Sequence, residues 1–319
     1  MRARVYKSHQ KYLTCKILET GEIVSAVALG NLLKNDSSVV VGDYVNVEKM
    51  QDGDEWQINQ VEERSSEIFR IFVRESRKKV TAANVDALVI VMSLTRPAFK
   101  RGILDRYLIR ASQWELKPIV IFNKMDEFEP QGDFDIVFEA ERLKGIGAQV
   151  YEISAIKKEA YLPRFLPQGY DQLIEALVGK TAAFVGQSGV GKSETISALS
   201  GGEITLKTQE VGKVGKGQHT TTWSELAECS KFALIDSPGI RSFSVEDILA
   251  SDLIHYFPDI EEVSLKCKFT NCKHQENSQG CAFVLEADQK NREALFSRLE
   301  SYQRIREELG EVSDWQKKF

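Results

Sequence analysis

Two stretches decide the fold: Gly186-Gln187-Ser188-Gly189-Val190-Gly191-Lys192-Ser193 and, upstream of it, Asn123-Lys124-Met125-Asp126. The first is GxxxxGK[ST] without a mismatch, set between the apolar run Ala182–Val185 and a helix-forming stretch, Ser193–Leu199. In that setting the backbone amides of Gln187 through Lys192 wrap phosphates, Lys192 neutralises the β and γ groups, and Ser193 holds Mg²⁺. The second closes another apolar run, Pro118–Phe122, where the Asp126 carboxylate can accept from the N1–H and 2-amine of guanine. Adenine lacks that pair of donors, so a site built on this pairing rejects it. Ser154-Ala155, after the run Gln149–Ile153, completes a base pocket. The expected nucleotide contacts are therefore Asn123, Lys124, Met125, Asp126, Ser154, Ala155 and the continuous run from Gly186 to Glu194. The base reader precedes the phosphate loop, the reverse of the ordinary order in guanine-nucleotide hydrolases, which predicts a circularly permuted nucleotide domain.

Asp236-Ser237-Pro238-Gly239 follows the run Phe232–Ile235 and fits DxxG, with Asp236 holding Mg²⁺ through water and the Gly239 amide meeting the γ-phosphate. Between the two boxes, Lys213 to Thr222 is polar and glycine-rich, as a switch should be. One of Thr220, Thr221 and Thr222 should reach Mg²⁺, and Thr221 is the favoured one. Ile240 follows DxxG where a water-positioning glutamine would stand, and an isoleucine cannot orient water. That leaves His219 as the nearest group able to do so; its other reading is packing or partner contact when the switch orders.

Working outward, the 319 residues are 42% apolar, enough for two or three cores. From Val85 onward, continuous apolar runs alternate with amphipathic stretches, the pattern of a parallel sheet covered on both faces, with its ligand at the strands' carboxyl ends. The first seventy or so residues show instead short alternating runs (Lys11–Leu18, Glu22–Leu29, Ser38–Glu48, Glu55–Val61) separated by turn signals. They suit a small closed β-barrel of OB type, although patterning alone leaves an SH3-like barrel open. Arg70 to Lys79 reads as a basic linker. The resulting partition is a barrel over residues 1–72, the permuted α/β domain over 73–243, and a mainly helical unit over 244–319.

Three of five cysteines crowd beside a histidine in Cys267-x4-Cys272-x-His274-x6-Cys281. Three thiolates and an imidazole are the ligand set of a closed, structural tetrahedral zinc site. Cys15 and Cys229 read as ordinary buried thiols. No apolar run is long enough to span a bilayer, and the first residues, Met1 to Lys11, are mixed polar and basic, so a soluble, cytoplasmic protein without membrane contact is expected. The net charge of −5 argues against wholesale coating of nucleic acid but leaves room for local basic patches.

With these residues in view the chain resembles the RsgA (YjeQ/YloQ) family, circularly permuted bacterial GTPases of small-subunit maturation. The likeness rests on Val41-Gly-Asp-Tyr-Val45, Ala83-Asn-Val-Asp86, the two boxes above, the His-Thr-Thr-Thr switch, DSPG, the Cys/His cluster and Glu300-Ser-Tyr302. It implies an OB barrel, a GTPase domain and a zinc-binding helical domain, with GTP and GDP, 16S rRNA and ribosomal proteins of the 30S subunit as partners, and a monomeric state is expected. Gln218 stands where the family switch carries arginine, six residues separate His274 from Cys281 where five are common, and Glu194 stands where a second serine is usual. Gly189 occupies the position where potassium-activated GTPases place asparagine, so potassium is not expected as a catalytic ion. Two functional classes follow: a GTPase whose hydrolysis times its release from the maturing subunit, or a guanine-nucleotide-gated RNA-binding regulator in which hydrolysis is incidental.

Overall fold

The computed structural model describes residues 1–9, 12–30, 38–50, 55–72, 77–130, 134–204, 224–236, 244–270, 272–286 and 288–311. Five strands, β1 (Arg2–His9), β2 (Tyr12–Ile17), β3 (Ile23–Ala28), β4 (Tyr44–Lys49) and β5 (Trp56–Val61), close into a barrel in the order β1-β2-β3-β5-β4-β1. Alternation builds it: Leu13, Cys15 and Ile17 of β2 point inward, against Val24, Val45, Val47 and Ile58. The four-strand sequence pattern lacked β1, whose Ala3 and Val5 are fully buried and alternate with Arg2 and Arg4. Its inward positions carry small or β-branched residues beside basic ones, so the strand reads as a polar leader.

The stretch expected as a basic linker is instead largely a hairpin, β6 (Glu67–Phe72) with β7 (Arg77–Ala83). Ile68, Val80 and Ala82 are buried while Arg77, Lys78 and Lys79 face solvent. Lys78 pairs with Glu67 at 2.6 Å and lies over the Phe69 ring at 4.1 Å. The charge run is the solvated face of a strand.

The α/β unit follows as β8 (Ala87–Ser93), α1 (Arg101–Gln113), β9 (Lys117–Asn123), α2 (Ile136–Lys144), β10 (Gln149–Glu152), α3 (Tyr170–Leu177), β11 (Thr181–Val185), α4 (Lys192–Leu199), β12 (Glu225–Glu228) and β13 (Ala233–Asp236). Its strand order is β10-β9-β8-β11-β13-β12, parallel except for the antiparallel β12. Leu88, Ile90 and Met92 of β8 feed the core under α1 and α2, and Val89 and Val91 feed the opposite core under α3 and α4. The chain steps outward from β8 to β10 and returns through α3 to β11 on the other side of β8. That reversal is the topological switch point at which such sheets bind ligands.

One ladder contact, Lys7 opposite Glu225, makes the barrel and the α/β sheet continuous. The joint is completed by the two tetrapeptide-scale motifs on which the resemblance partly rests. Gly42 has φ +92° and a Cβ there would lie 2.1 Å from the Ala83 carbonyl oxygen, so only glycine fits. Asn84 donates to the Gly42 carbonyl at 3.0 Å, and Arg4 reaches the Asn84 carbonyl and, at 2.7 Å, the Thr181 hydroxyl.

The C-terminal unit comprises α5 (Pro258–Ser264), α6 (Ala282–Leu285) and α7 (Gln289–Glu311) around Phe257, Ile260, Phe283, Leu299 and Ile305. It docks on α1 and α2 through a buried ion network: Asp105 accepts from Arg142 at 2.8 Å and Arg298 at 2.9 Å, and from Ser301. Arg110 of α1 additionally holds Asp247 and the Ser244 carbonyl, where this unit begins.

Candidate nucleotide site and metal centre

The phosphate loop runs from the end of β11 to the start of α4, at the switch point, as its sequence demands. Gly191 takes φ +87°, and a Cβ there would lie 2.4 Å from the Asn123 side-chain nitrogen. That close approach has a purpose. Asn123, 2% exposed at the end of β9, donates from Nδ2 to the Val190 carbonyl at 3.0 Å and accepts at Oδ1 from the Ala155 amide at 3.0 Å. One side chain thus ties the phosphate loop to the Ser154-Ala155 turn. Lys124, with φ +63°, donates from Nζ to the Gly189 carbonyl at 2.7 Å and to the Arg96 carbonyl at 2.9 Å. The first half of the base box therefore shapes the phosphate loop, which explains why two motifs far apart in sequence act as one site.

The second half faces the base position. Met125 is fully buried, and its amide bonds the Ile153 carbonyl at 3.2 Å. Asp126 Oδ1 is buried and has no hydrogen-bond partner among the described residues, while Oδ2 lies 3.7 Å from Lys157 Nζ. An unpaired buried carboxylate oxygen costs about 1–3 kcal/mol or more. A guanine edge supplies the missing donors, so the residues present fit that base. Ser154 is buried, Gln187 and Ser193 are half-buried, and Ser188, Gly189 and Glu194 are exposed on the loop and first helical turn. Lys192 Nζ lies 3.4 Å from the Gly186 carbonyl across the loop. Lys157 was not singled out by sequence reasoning. Neither was Thr195, whose fully buried hydroxyl donates to the Gly191 carbonyl at 2.7 Å and fastens the loop's exit. A threonine one turn past the Lys-Ser pair was the available signal.

Of the expected Mg²⁺ ligands, Ser193 lies in the first turn of α4, which follows β11, and Asp236 ends β13, the parallel neighbour of β11. Thr221, with Thr220 and Thr222, and the catalytic candidates His219 and Gly239 lie outside the described residues, as do Gln218 and Ile240. A cleft of about 790 Å³ opens beside the base box between Arg96, Phe99, Phe128 and Phe134, and no residue of the phosphate loop lines it.

The four candidate metal ligands converge. One ligand atom from each of Cys267, Cys272, His274 and Cys281 lies within 4.8 Å of the others. His274 Nδ1 is 3.5 Å from the Cys267 sulfur and 3.8 Å from that of Cys281. A tetrahedron with bonds of about 2.0–2.3 Å has edges of about 3.3–3.8 Å, so the two histidine–sulfur separations suit one shared ion. His274 adopts φ +52° to turn its ring inward, and the Ala282 amide donates to the Cys267 sulfur at 3.3 Å. Burial pushes the Cys267 thiol up to about 11 and holds the His274 imidazole below its usual value, which keeps that ring neutral and able to ligate. The cluster can bind a metal ion. Cys15 is buried in the barrel and Cys229 is half-buried against the Phe232 carbonyl, as ordinary thiols.

Comparison with known proteins agrees with this geometry. The family model described as RsgA GTPase matches residues 61–246, and a model described as 50S ribosome-binding GTPase matches residues 181–315, starting at β11. The small ribosomal subunit biogenesis GTPase RsgA of Flavobacterium johnsoniae is 32% identical over 96% of this chain and 93% of its own length. The protein of that name from Bacillus subtilis is 34% identical over 80% of each. Among solved structures, YjeQ from Thermotoga maritima superposes with a TM-score of 0.73 at 28% identity, covering 97% of this chain and 98% of its own. YloQ, described as a circularly permuted GTPase, gives 0.70 at 26% identity over 97% and 95%. The permuted order of the boxes, the closed barrel ahead of them and the Cys/His cluster behind them have one common setting, and the chain belongs to the RsgA GTPase family.

Proposed function

We propose that this GTPase binds the small (30S) ribosomal subunit, through 16S rRNA and ribosomal proteins, and assists its late maturation, with subunit-stimulated hydrolysis of GTP to GDP and phosphate timing its release. The observation that carries the nucleotide assignment is the orphaned Asp126 oxygen beside a base box whose Asn123 and Lys124 hold the phosphate loop. The names borne by the relatives support the ribosomal assignment. The protein acts as a monomer in the cytoplasm. Its three working units are residues 1–72, 73–243 and 244–319.

Within the site, Asn123 to Asp126 and Ser154-Ala155 hold the base, Gly186 to Glu194 hold the phosphates, and Ser193, Thr221 and Asp236 hold Mg²⁺. The metal would supply charge neutralisation between the β- and γ-phosphates. Gly239 meets the γ-phosphate and His219 orients water, since Ile240 cannot. Cys267, Cys272, His274 and Cys281 hold one zinc, which supplies structure and no chemistry, because four protein donors leave no open position.

Turnover measured with and without purified small subunits tests the proposal. Slow intrinsic hydrolysis should rise with the subunit, by a factor that ordering a catalytic group in trans can carry to about 10⁵. His219→Ala should abolish the stimulation while GTP affinity is nearly retained. Binding to the subunit without any change in turnover would instead favour the nucleotide-gated RNA-binding regulator, and unchanged stimulation in the variant would remove His219 from catalysis.

A further inference from the structure

We propose that Glu152, Tyr161 and Arg164 are positioning residues that fix the Asp126 carboxylate and thereby set discrimination for guanine. This rests on reading the site as a GTP site and assigns it three residues outside every nucleotide motif. Glu152, at the end of β10, is fully buried. Its Oε1 accepts from the Tyr161 hydroxyl at 2.6 Å and the Arg164 amide at 2.9 Å, and its Oε2 accepts from the amides of Phe165 at 2.9 Å and Leu166 at 2.8 Å. Four donors converge on one carboxylate, so the turn from Tyr161 to Leu166 is pinned to the strand. A charge-assisted set of this kind is among the strongest ways to fix a loop.

From that turn the Arg164 guanidinium reaches back. Its Nη2 donates to the Met125 carbonyl at 2.7 Å and also to the Phe128 carbonyl. Tyr161 Oη lies 3.3 Å from the same Met125 oxygen, but a phenol has one proton and the shorter contact to Glu152 takes it. Burial and the Glu152 carboxylate push the Tyr161 phenol up, so that proton stays in place. Arg164 is therefore the side chain that orients the Met125–Asp126 peptide, and rotation of that peptide would swing the Asp126 carboxylate. Nη2 meets both carbonyls while Nη1 pairs with Glu129 at 3.2 Å, so the planar guanidinium is held from two sides, and a lysine would lose the second hold.

Inosine triphosphate separates this role from plain stability, because it lacks the 2-amine that Asp126 would read but keeps the phosphates. The full-length protein should bind GTP at least about tenfold more tightly than ITP, and Arg164→Met should weaken GTP by about tenfold and ITP by only two- to threefold, collapsing the ratio. Arg164→Lys should give an intermediate ratio. In turnover, the loss should fall on KM more than on kcat. If Arg164→Met does not fold, Tyr161→Phe, which removes only the hydroxyl that Glu152 accepts from, should still lower the ratio by about threefold. Equal weakening of both nucleotides in these variants, or an unchanged ratio, overturns the positioning role while leaving the site's assignment standing. A wild-type protein indifferent to GTP and ITP overturns the base-reading assignment itself, and the positioning role with it.

Discussion

Around the phosphate loop, the holding bonds run between side chains and main-chain groups: Asn123 to Val190 and Ala155, Lys124 to Gly189, Thr195 to Gly191. In the C-terminal unit and where it docks on α1 and α2 they run between charges and thiols. Asp105, Glu139 and Asp259 meet Arg101, Arg142 and Arg298 in one network, with Asp105, Glu139 and Arg142 fully buried, and four metal-type donors fasten the segment from Cys267 to Cys281. The difference follows from what each region must do. A loop that receives phosphates needs its amides free and its shape fixed, which side-chain bonds to its carbonyls achieve without a buried ion pair. A small helical unit with a limited core needs attachment, and buried charge supplies orientation at a desolvation cost. Bonds to main-chain carbonyls tolerate the loss of a partner better than buried ion pairs do, so the C-terminal unit should be the more brittle half.

The largest effect should come from the metal centre. Ligation contributes on the order of 10–16 kcal/mol in small zinc-folded peptides. Cys267→Ser with Cys272→Ser should therefore release the metal and remove amide-exchange protection between Leu265 and Leu285. GTP affinity should stay within about twofold, since among the described residues no nucleotide-site residue packs with the cluster. Stoichiometric metal in the double variant, or an equal loss of GTP binding, would contradict the division between the halves.

Next comes Asp105→Asn. Breaking a buried pair from one side costs up to about 3–5 kcal/mol, because Arg142 and Arg298 each lose a buried counter-charge and keep only Glu139 and Asp259. Burial alone would push the Asp105 carboxyl up, but the two guanidiniums outweigh it and hold it below the ordinary range. A depressed carboxylate stabilises the fold fully above its unfolded pKa of about 3.9 and loses that contribution as pH falls through the lower folded value. Denaturant melts should thus show the full gap between wild type and variant at pH 7, closing below about pH 4. A gap that stays constant across that range would mean the charge of Asp105 is not what the interface uses.

The two halves also differed in how much of them could be read from the sequence. The phosphate loop and base box were legible because each is a contiguous run whose residue types follow from the ligand's chemistry, and the structure brings them together through Asn123. The Cys/His cluster was legible for the same reason. The ion network was not: Asp105, Arg142, Asp259 and Arg298 come from four helices, and each alone looks like a solvated helical charge. Strand β1 and the β6–β7 hairpin were missed because basic residues on the outward positions hid the alternation of Ala3 and Val5, and of Ile68, Val80 and Ala82. Glu152 and Arg164 carry no motif, since their partners are main-chain groups that any sequence supplies. Tertiary pairing, not local pattern, decides such positions.

The smallest effect tests whether the comparison is too clean. Lys157 sits 3.7 Å from Asp126 with its side chain 53% exposed, the one charge pair at the base position among the described residues. An ion pair so open to solvent is worth about 0–1 kcal/mol. Lys157→Ala should therefore weaken GTP by less than about fivefold, and the deficit should shrink as salt is raised, because exposed charges are screened beyond about 8–10 Å and partly within it. The direction is a loss, because the ammonium stands beside the carboxylate that the two guanine donors would meet and its positive charge favours that carboxylate's placement. Equilibrium GTP binding at low and high salt reads both quantities. If the variant instead lost a hundredfold, independent of salt, the base position would depend on a desolvated charge pair just as the C-terminal interface does. Holding bonds to main-chain carbonyls would then describe the phosphate loop alone.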